Sequence, residues 1–286
     1  LDSIAPDEFD TRPLGKWSEP SEFVVDRERL IAYAHATNDT APVHLSGDIA
    51  SPVFNVVPAF KVVAPLTLNM PPVDKRMLGV HGEQDFRFHR PIEAGMTLVT
   101  RAIPVGITPR STGSLITVRA ETTTSGGEPV VDQHVTVFIR TAIAPEAIGE
   151  QPPTREYSRE AEPFVEVTEA FDLDQSYRYM GASGDTMPLH SENAFAQQHG
   201  FPGIILHGNC TFAFATRAVL EHAAGGETRR IKRLAVRFSR WVTPYDVITT
   251  RVFRAGSTGG RSIFSFETAL ADGTLCLSDG LVEVED

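Results

Sequence analysis

The chain has 286 residues and a formal net charge of −11, from 26 basic against 37 acidic side chains. That length is ample for a substantial core in one large or two small domains. The acidic balance argues against a nucleic-acid binder, though a local basic patch can still meet an anionic small ligand. Two cysteines, Cys210 and Cys276, are too few for a disulfide scaffold or a metal cluster.

In chain order, the first distinctive segment reads HATNDTAPVHLSGDIASPVFNVVPAF over 35–60, with Asp39 and His44 on either side of Pro42. An apolar stretch follows from Val56 to Met70, interrupted by Pro58 and Pro65. Strands are expected near 84–90, 96–104, 114–124 and 129–140. Residues 142–155 are proline-rich, charged and without apolar period, as befits a linker. The alternation over 163–171 suits a strand, and Asp172 is placed to cap a turn or helix through Tyr177–Met180. After the Gly-rich GASGD comes a second loop carrying Asp185 and His190. Residues 207–223 turn helical, with Phe212, Ala213, Thr216, Val219 and Leu220 on one stripe, and Gly225-Gly226 ends that helix. Only strand-like stretches remain, at 231–238, 246–255, 262–270 and 275–284, separated by turn signals such as Ala271-Asp272-Gly273-Thr274.

The two loops are copies. Both read Asp-Thr-x-Pro-aliphatic-His, at a common offset of 146 (185 − 39 and 190 − 44). Phe86-Arg87-Phe88 is echoed by Val236-Arg237-Phe238 at an offset of 150 (237 − 87), and Ser114–Val118 by Ser262–Phe266 at 148 (262 − 114). A period this long is too great for a solenoid and indicates two homologous domains. The expected division is an N-terminal repeat over 1–144, a linker over 145–158 and a C-terminal repeat over 159–286. Within each, one long helix followed by an antiparallel run of strands is an α+β arrangement. Two such copies are expected to set their sheets edge to edge around two roughly parallel helices, a double hotdog.

A short loop that aims a carboxylate and an imidazole at one place is suited to sharing a water as acid and base. Here a family resemblance becomes specific. Gly184-Asp185-Thr186-Met187-Pro188-Leu189-His190, followed by Gly200-Phe201-Pro202-Gly203-Ile204-Ile205-Leu206-His207-Gly208-Asn209-Cys210-Thr211, resembles the paired signature of the MaoC-like, or type 2, enoyl-CoA hydratases. Val80-His81-Gly82-Glu83-Gln84-Asp85-Phe86 is similar to the two-domain members of that family. The resemblance implies reversible hydration of trans-2-enoyl thioesters to (3R)-3-hydroxyacyl thioesters, with Asp185 and His190 sharing the water. It implies an oxyanion donor at Gly208, where helix-start N–H groups are unpaired and the macrodipole is positive. Met187, His207 and Asn209 are expected to border the substrate, His207 also positioning the helix start, and Cys210 to be a packed thiol.

The chain departs from the pattern twice. Met187 stands where most members have Asn, and a thioether cannot replace an amide's hydrogen bonds. The N-terminal half of two-domain members has generally lost its acid/base pair and accommodates the acyl tail, whereas Asp39 and His44 survive here. Because Ser51–Pro58 replaces the His-Gly helix start and Pro58 lacks an N–H, that first dyad is expected to be vestigial. The cluster Arg229-Arg230-Ile231-Lys232-Arg233 is either a solvated turn or a seat for the phosphates of coenzyme A or an acyl carrier protein.

No resident cofactor is expected, coenzyme A entering only as part of the substrate. A dehydratase acting on a carrier-protein-bound or specialised acyl group, and a non-catalytic acyl-thioester-binding subunit, are the alternatives. A homodimer is expected, with a monomer possible because one chain already supplies paired repeats. No apolar run approaches the ~18 residues of a membrane span, and the start at Leu1 lacks a basic-then-apolar leader, so a soluble, cytoplasmic protein is expected.

Overall fold

The computed structural model describes residues 7–155 and 159–286; the last three positions of the expected linker lie outside the described residues. The first repeat runs β1 (Ser21–Val24), α1 (Arg27–Ala36), α2 (Pro42–Leu45), α3 (Val56–Asn69), β2 (Gly79–Phe88), β3 (Thr97–Arg110), β4 (Gly113–Thr124) and β5 (Pro129–Arg140), with a two-residue β6 (Ile148–Gly149) beyond it. The second runs β7 (Val165–Ala170), α4 (Gln175–Ser183), α5 (Asn193–Gln198), α6 (Gly208–His222), β8 (Ile231–Phe238), β9 (Val247–Thr258), β10 (Arg261–Leu270) and β11 (Leu275–Glu285).

All strands join one 11-stranded antiparallel sheet in the order β1-β3-β4-β5-β2-β8-β11-β10-β9-β7, with β6 hydrogen-bonded to β3. The fold is therefore α+β, a double hotdog whose two sheets meet edge to edge at β2 and β8. At that seam Asp85 lies opposite Ala235, and these two positions are related by the offset of 150 found in the sequence (235 − 85). A pseudo-two-fold axis thus passes between them. It also explains Tyr33 and Tyr179, which share the other offset (179 − 33 = 146) and whose hydroxyls meet at 3.2 Å in the buried α1–α4 contact. The Arg233 guanidinium clamps the seam by donating two bonds to the Asp85 carboxylate, at 3.1 and 2.6 Å.

The α6 stripe is buried, and so are Cys210, Thr211, Phe214, Ala215 and Ala218 on its other faces. A helix apolar nearly all round is one enclosed by its own sheet. Phe212 stacks on Phe86 of the first repeat and on Phe266 of the second, so the principal core runs through both repeats; each such ring stabilises by roughly 1.5–3 kcal/mol on burial. In the first repeat α3 forms despite its prolines. Pro58 sits in the first turn, where its missing N–H has no carbonyl to meet, and Pro65 falls within the last turns.

Three sequence expectations are corrected. The helix after β7 begins at Gln175 with Asp174, not Asp172, at its cap position; Asp172 instead accepts from Arg178 and from Asn38 Nδ2. Strands β2 and β3 are longer than their apolar patterns suggested, because pairing with β5 and β4 continues through the glycine-interrupted segments 79–83 and 105–110. Elements β1, α1, α2 and α5 were not anticipated at all: α1 and α5 are short and weakly patterned, and tertiary contacts stabilise them.

Candidate active site

A cavity of about 540 Å³ lies between the repeats. One wall comes from α3 and β5 of the first repeat, including Val57, Val63 and Val135; the other carries Asp185, His190 and His207.

The chain builds this second wall locally. α4 ends at Gly184 in the left-handed conformation (φ 82°), which glycine adopts without a Cβ penalty. The reversal presents Asp185, whose Oδ1 accepts from the Met187 N–H at 3.2 Å in an Asx turn. Pro188 starts a single 3₁₀ turn that ends on His190. The Ser176 hydroxyl, donating to the His190 carbonyl at 2.7 Å, holds that turn against α4.

The His190 Nδ1 lies 2.9 Å from the Ile205 carbonyl. A carbonyl only accepts, so Nδ1 carries the proton and Nε2 keeps its lone pair. Neither that Nε2 nor Asp185 Oδ2 has a protein partner among the described residues. His207 occupies the N-cap position of α6 without bonding the helix through its side chain, and its Nε2 donates to the Asp185 carbonyl at 3.0 Å. Its ring stacks on His190 at 3.7 Å and beside Tyr179 at 4.8 Å. Burial holds both imidazoles neutral below their ordinary range; the neighbouring Asp185 charge opposes this at His190, and the neighbouring His190 reinforces it at His207.

Gly208 is the first residue of α6, so its N–H has no carbonyl four residues back to meet. A Cβ there would lie 3.1 Å from two atoms of the Phe238 ring, so a larger residue would make that ring give by a few tenths of an ångström. Asn209 lines the cavity with a buried, unpartnered Oδ1. Met187 lines it too, packed against the small apolar cluster of Leu189, Ala196, Phe201 and Ile205. Cys210 is fully buried, and burial pushes its thiol far up in pKa, as suits a packing residue.

The first-repeat copy of the loop has the same turn, with Asp39 Oδ1 accepting from the Ala41 N–H at 2.9 Å. Its imidazole is engaged at both nitrogens. His44 Nδ1 meets Asp39 Oδ2 at 2.8 Å and Nε2 meets Thr228 Oγ1 at 2.7 Å, with His44 and Asp39 both buried. One hexapeptide therefore appears in two states, closed on itself in the first repeat and open to the cavity in the second.

The basic cluster 229–233 does not reach this cavity. Arg229 and Lys232 line a smaller one of about 260 Å³, and they pair with Glu93 and Glu285. The arginines bordering the larger cavity are Arg76, Arg140 and Arg240, scattered in sequence and not singled out by it. Arg140 donates to the Leu78 and His199 carbonyls and lies over Phe201, while Arg240 lies over Trp241. Sequence reasoning also passed over Tyr179 and Thr228. The 146-residue offset linking Tyr33 to Tyr179 was a usable signal; nothing local marks Thr228.

In a double hotdog, a carboxylate and an imidazole that border one cavity are placed for acid/base chemistry on a bound substrate. Comparison with family models matches residues 149–273 to the MaoC like domain and residues 12–133 to the FAS1-like, dehydratase domain region. The 3-hydroxyacyl-thioester dehydratase Y of Mycobacterium tuberculosis is 30% identical over 213 residues, covering 71% of this chain and 72% of that protein. A probable enoyl-CoA hydratase 2 of Dictyostelium discoideum is 29% identical over 213 residues, covering 73% and 71%. The crystal structure of a MaoC-like dehydratase from Phytophthora capsici shares the fold with a TM-score of 0.79 at 24% identity, over 93% of this chain and 95% of that one. The chain belongs to the MaoC-like hydratase/dehydratase family and is a hydro-lyase.

Proposed function

We propose that the protein reversibly hydrates trans-2-enoyl thioesters to (3R)-3-hydroxyacyl thioesters at the second-repeat site. The observation that carries this reading is the open dyad: among the described residues nothing engages His190 Nε2 or Asp185 Oδ2 at the cavity wall, while a backbone carbonyl pins the His190 tautomer. In hydration the pair takes a proton from a shared water as its oxygen attacks C3, and a proton returns to C2. Dehydration is the reverse through the same groups. Charge growing on the thioester oxygen meets the Gly208 N–H at the positive end of α6. His207 and Asn209 border the substrate. The proton balance closes with Asp185, His190 and the water, so this reading calls for no resident metal or cofactor.

In this reading residues 1–144 form the repeat that accommodates the acyl tail along α3, 145–158 link, and 159–286 form the catalytic repeat. Arg76, Arg140 and Arg240 suit the phosphates of coenzyme A or of a carrier-protein arm. We take the working unit to be a homodimer, which sedimentation would test. The direct test of function mixes the purified chain with crotonyl-CoA and longer enoyl-CoA thioesters and follows loss of the conjugated absorbance. Hydration supports the reading. Release of free thiol, or no reaction with any chain length, overturns it.

Two further results follow from this reading. His44→Ala is expected to leave kcat within a few-fold of wild type and to cost about 1–3 kcal/mol of stability, since Asp39 and Thr228 lose a buried partner. Denaturant melts and initial rates check both halves, and a collapse in kcat would make the first repeat catalytic. Met187 is an apolar, adaptable wall suited to a bulky acyl group. Met187→Asn is therefore expected to lower kcat/KM on branched or long substrates while crotonyl-CoA turnover holds or improves. Equal effects on every substrate would exclude Met187 from specificity.

A further inference from the structure

We infer that Asp185, His190 and His207 also form a seat for a divalent transition-metal ion, with Zn²⁺ the best match, and that its occupancy shuts the site. The hydrogen bonds dictate the chemistry of the seat. His190 gives its Nδ1 proton to the Ile205 carbonyl and His207 gives its Nε2 proton to the Asp185 carbonyl. Each ring is thereby left with one unprotonated nitrogen, Nε2 on His190 and Nδ1 on His207. Backbone carbonyls holding the far nitrogen of each imidazole are the outer-shell support that metal-binding histidines require.

A second, independent observation points to a ligand. His207 is only 2% exposed, it borders the cavity, and among the described residues its Nδ1 has no hydrogen-bond partner. A buried nitrogen lone pair left unmatched is costly unless something fills it. One donor atom from each of the three residues, a ring nitrogen or a carboxylate oxygen, lies within 4.8 Å of the other two.

Two imidazoles and one carboxylate form a donor set that zinc accepts, leaving a fourth position toward the cavity. Zn–N lengths of ~2.0–2.1 Å put tetrahedral donors about 3.3 Å apart. The donors, now within 4.8 Å of one another, therefore close in on a bound ion by small side-chain adjustments about the two carbonyl-held rings. Mg²⁺ prefers oxygen ligands and octahedral geometry and fits poorly. The first-repeat loop offers a built-in contrast, since both nitrogens of His44 are taken by Asp39 and Thr228.

Binding of the ion stands independently of the proposed reaction. Its inhibitory effect rests on that reading, because the ion would occupy the groups assigned to the catalytic water. The full-length, chelator-treated chain is titrated with ZnCl₂ by calorimetry, and with CoCl₂ while following visible absorption. One saturable site per chain is expected, with the intense d–d bands of low-coordinate Co²⁺ and no competition from Mg²⁺. His207→Asn and Asp185→Asn, each checked for folding by circular dichroism, are expected to weaken Zn²⁺ at least tenfold. His89→Asn, at a surface pair with Asp132, should leave binding intact.

Stoichiometric Zn²⁺ is further expected to abolish enoyl-thioester hydration, with EDTA restoring it. Absence of saturable binding, or an affinity indifferent to His207→Asn and Asp185→Asn, overturns the site. Tight binding at these residues in a chain that hydrates no enoyl thioester would uphold the metal seat and overturn the assigned reaction.

Discussion

Asp185→Asn is expected to lower kcat for enoyl-thioester hydration by about 10²–10⁴, the range for a lost general acid/base, with the fold retained. The substitution keeps the shape and the Asx turn with Met187, because an amide oxygen still accepts from that N–H. It removes the charge and the basicity. His190→Gln should fall as far, and the double variant little further, since the two groups act on one water and their losses are not additive. The pH profile supplies an independent check. Burial lowers the His190 pKa from 6.5 against the pull of Asp185, so the neutral imidazole persists below the usual histidine range. Wild-type kcat/KM is therefore expected to stay level through pH 6.5 and to fall only at lower pH. Near-normal hydration by Asp185→Asn would remove the dyad, and an acid limb at or above pH 6.5 would remove the account of His190 as a buried base.

The second large effect is expected at Gly208 and can be isolated by comparing two substitutions. Gly208→Ala keeps the N–H but adds the Cβ that presses on Phe238 at 3.1 Å. Gly208→Pro adds the same Cβ, closes it through Cγ and Cδ onto the backbone nitrogen, and so deletes the N–H. Proline is tolerated at the first helical position, and His207 already has the extended ψ of 132° that a residue before proline adopts. The proline variant should therefore fold, and denaturant melts of both variants separate any loss of stability from the loss of the N–H. Its kcat is expected to be lower than the alanine variant's by about 10²–10³, the usual loss for one oxyanion donor. Equal kcat values in the two variants would mean the Gly208 N–H does not meet the thioester oxygen. The first repeat also carries a proline in the first turn of its long helix, Pro58, the third residue of α3.

Much of the fold was legible because it was written twice. The offsets of 146 and 150 anticipated the pseudo-symmetry before any coordinate, and the Asp85–Ala235 pairing at the β2–β8 seam is its physical expression. Helix α6 and strands β8 to β11 were readable from local periodicity, since a buried helix and a pleated sheet each impose a fixed repeat on apolar side chains. Short elements such as α1 left no such trace. Their residues are ordered by partners distant in sequence, as Tyr33 is by Tyr179 and the Ala36 carbonyl is by Gln175.

The candidate site divides in the same way. Two Asp-Thr-x-Pro-aliphatic-His loops, and the His-Gly helix start that accompanies only the second, follow from the sequence alone, and with them the candidate acid/base groups. Which loop is open does not follow from the hexapeptide, because both copies make the same turn. It depends on what meets each imidazole: Thr228, brought 184 positions along the chain to His44, and the Ile205 carbonyl, brought 15 positions to His190. A hydroxyl on Nε2 closes the first ring between two partners, whereas a carbonyl on Nδ1 orients the second and leaves its basic nitrogen facing the cavity. The same applies to charge. The run at 229–233 stood out in the sequence, yet ion pairs at the seam and beside the smaller cavity absorb it. The arginines that border the larger cavity are isolated residues that only packing of the two repeats brings together.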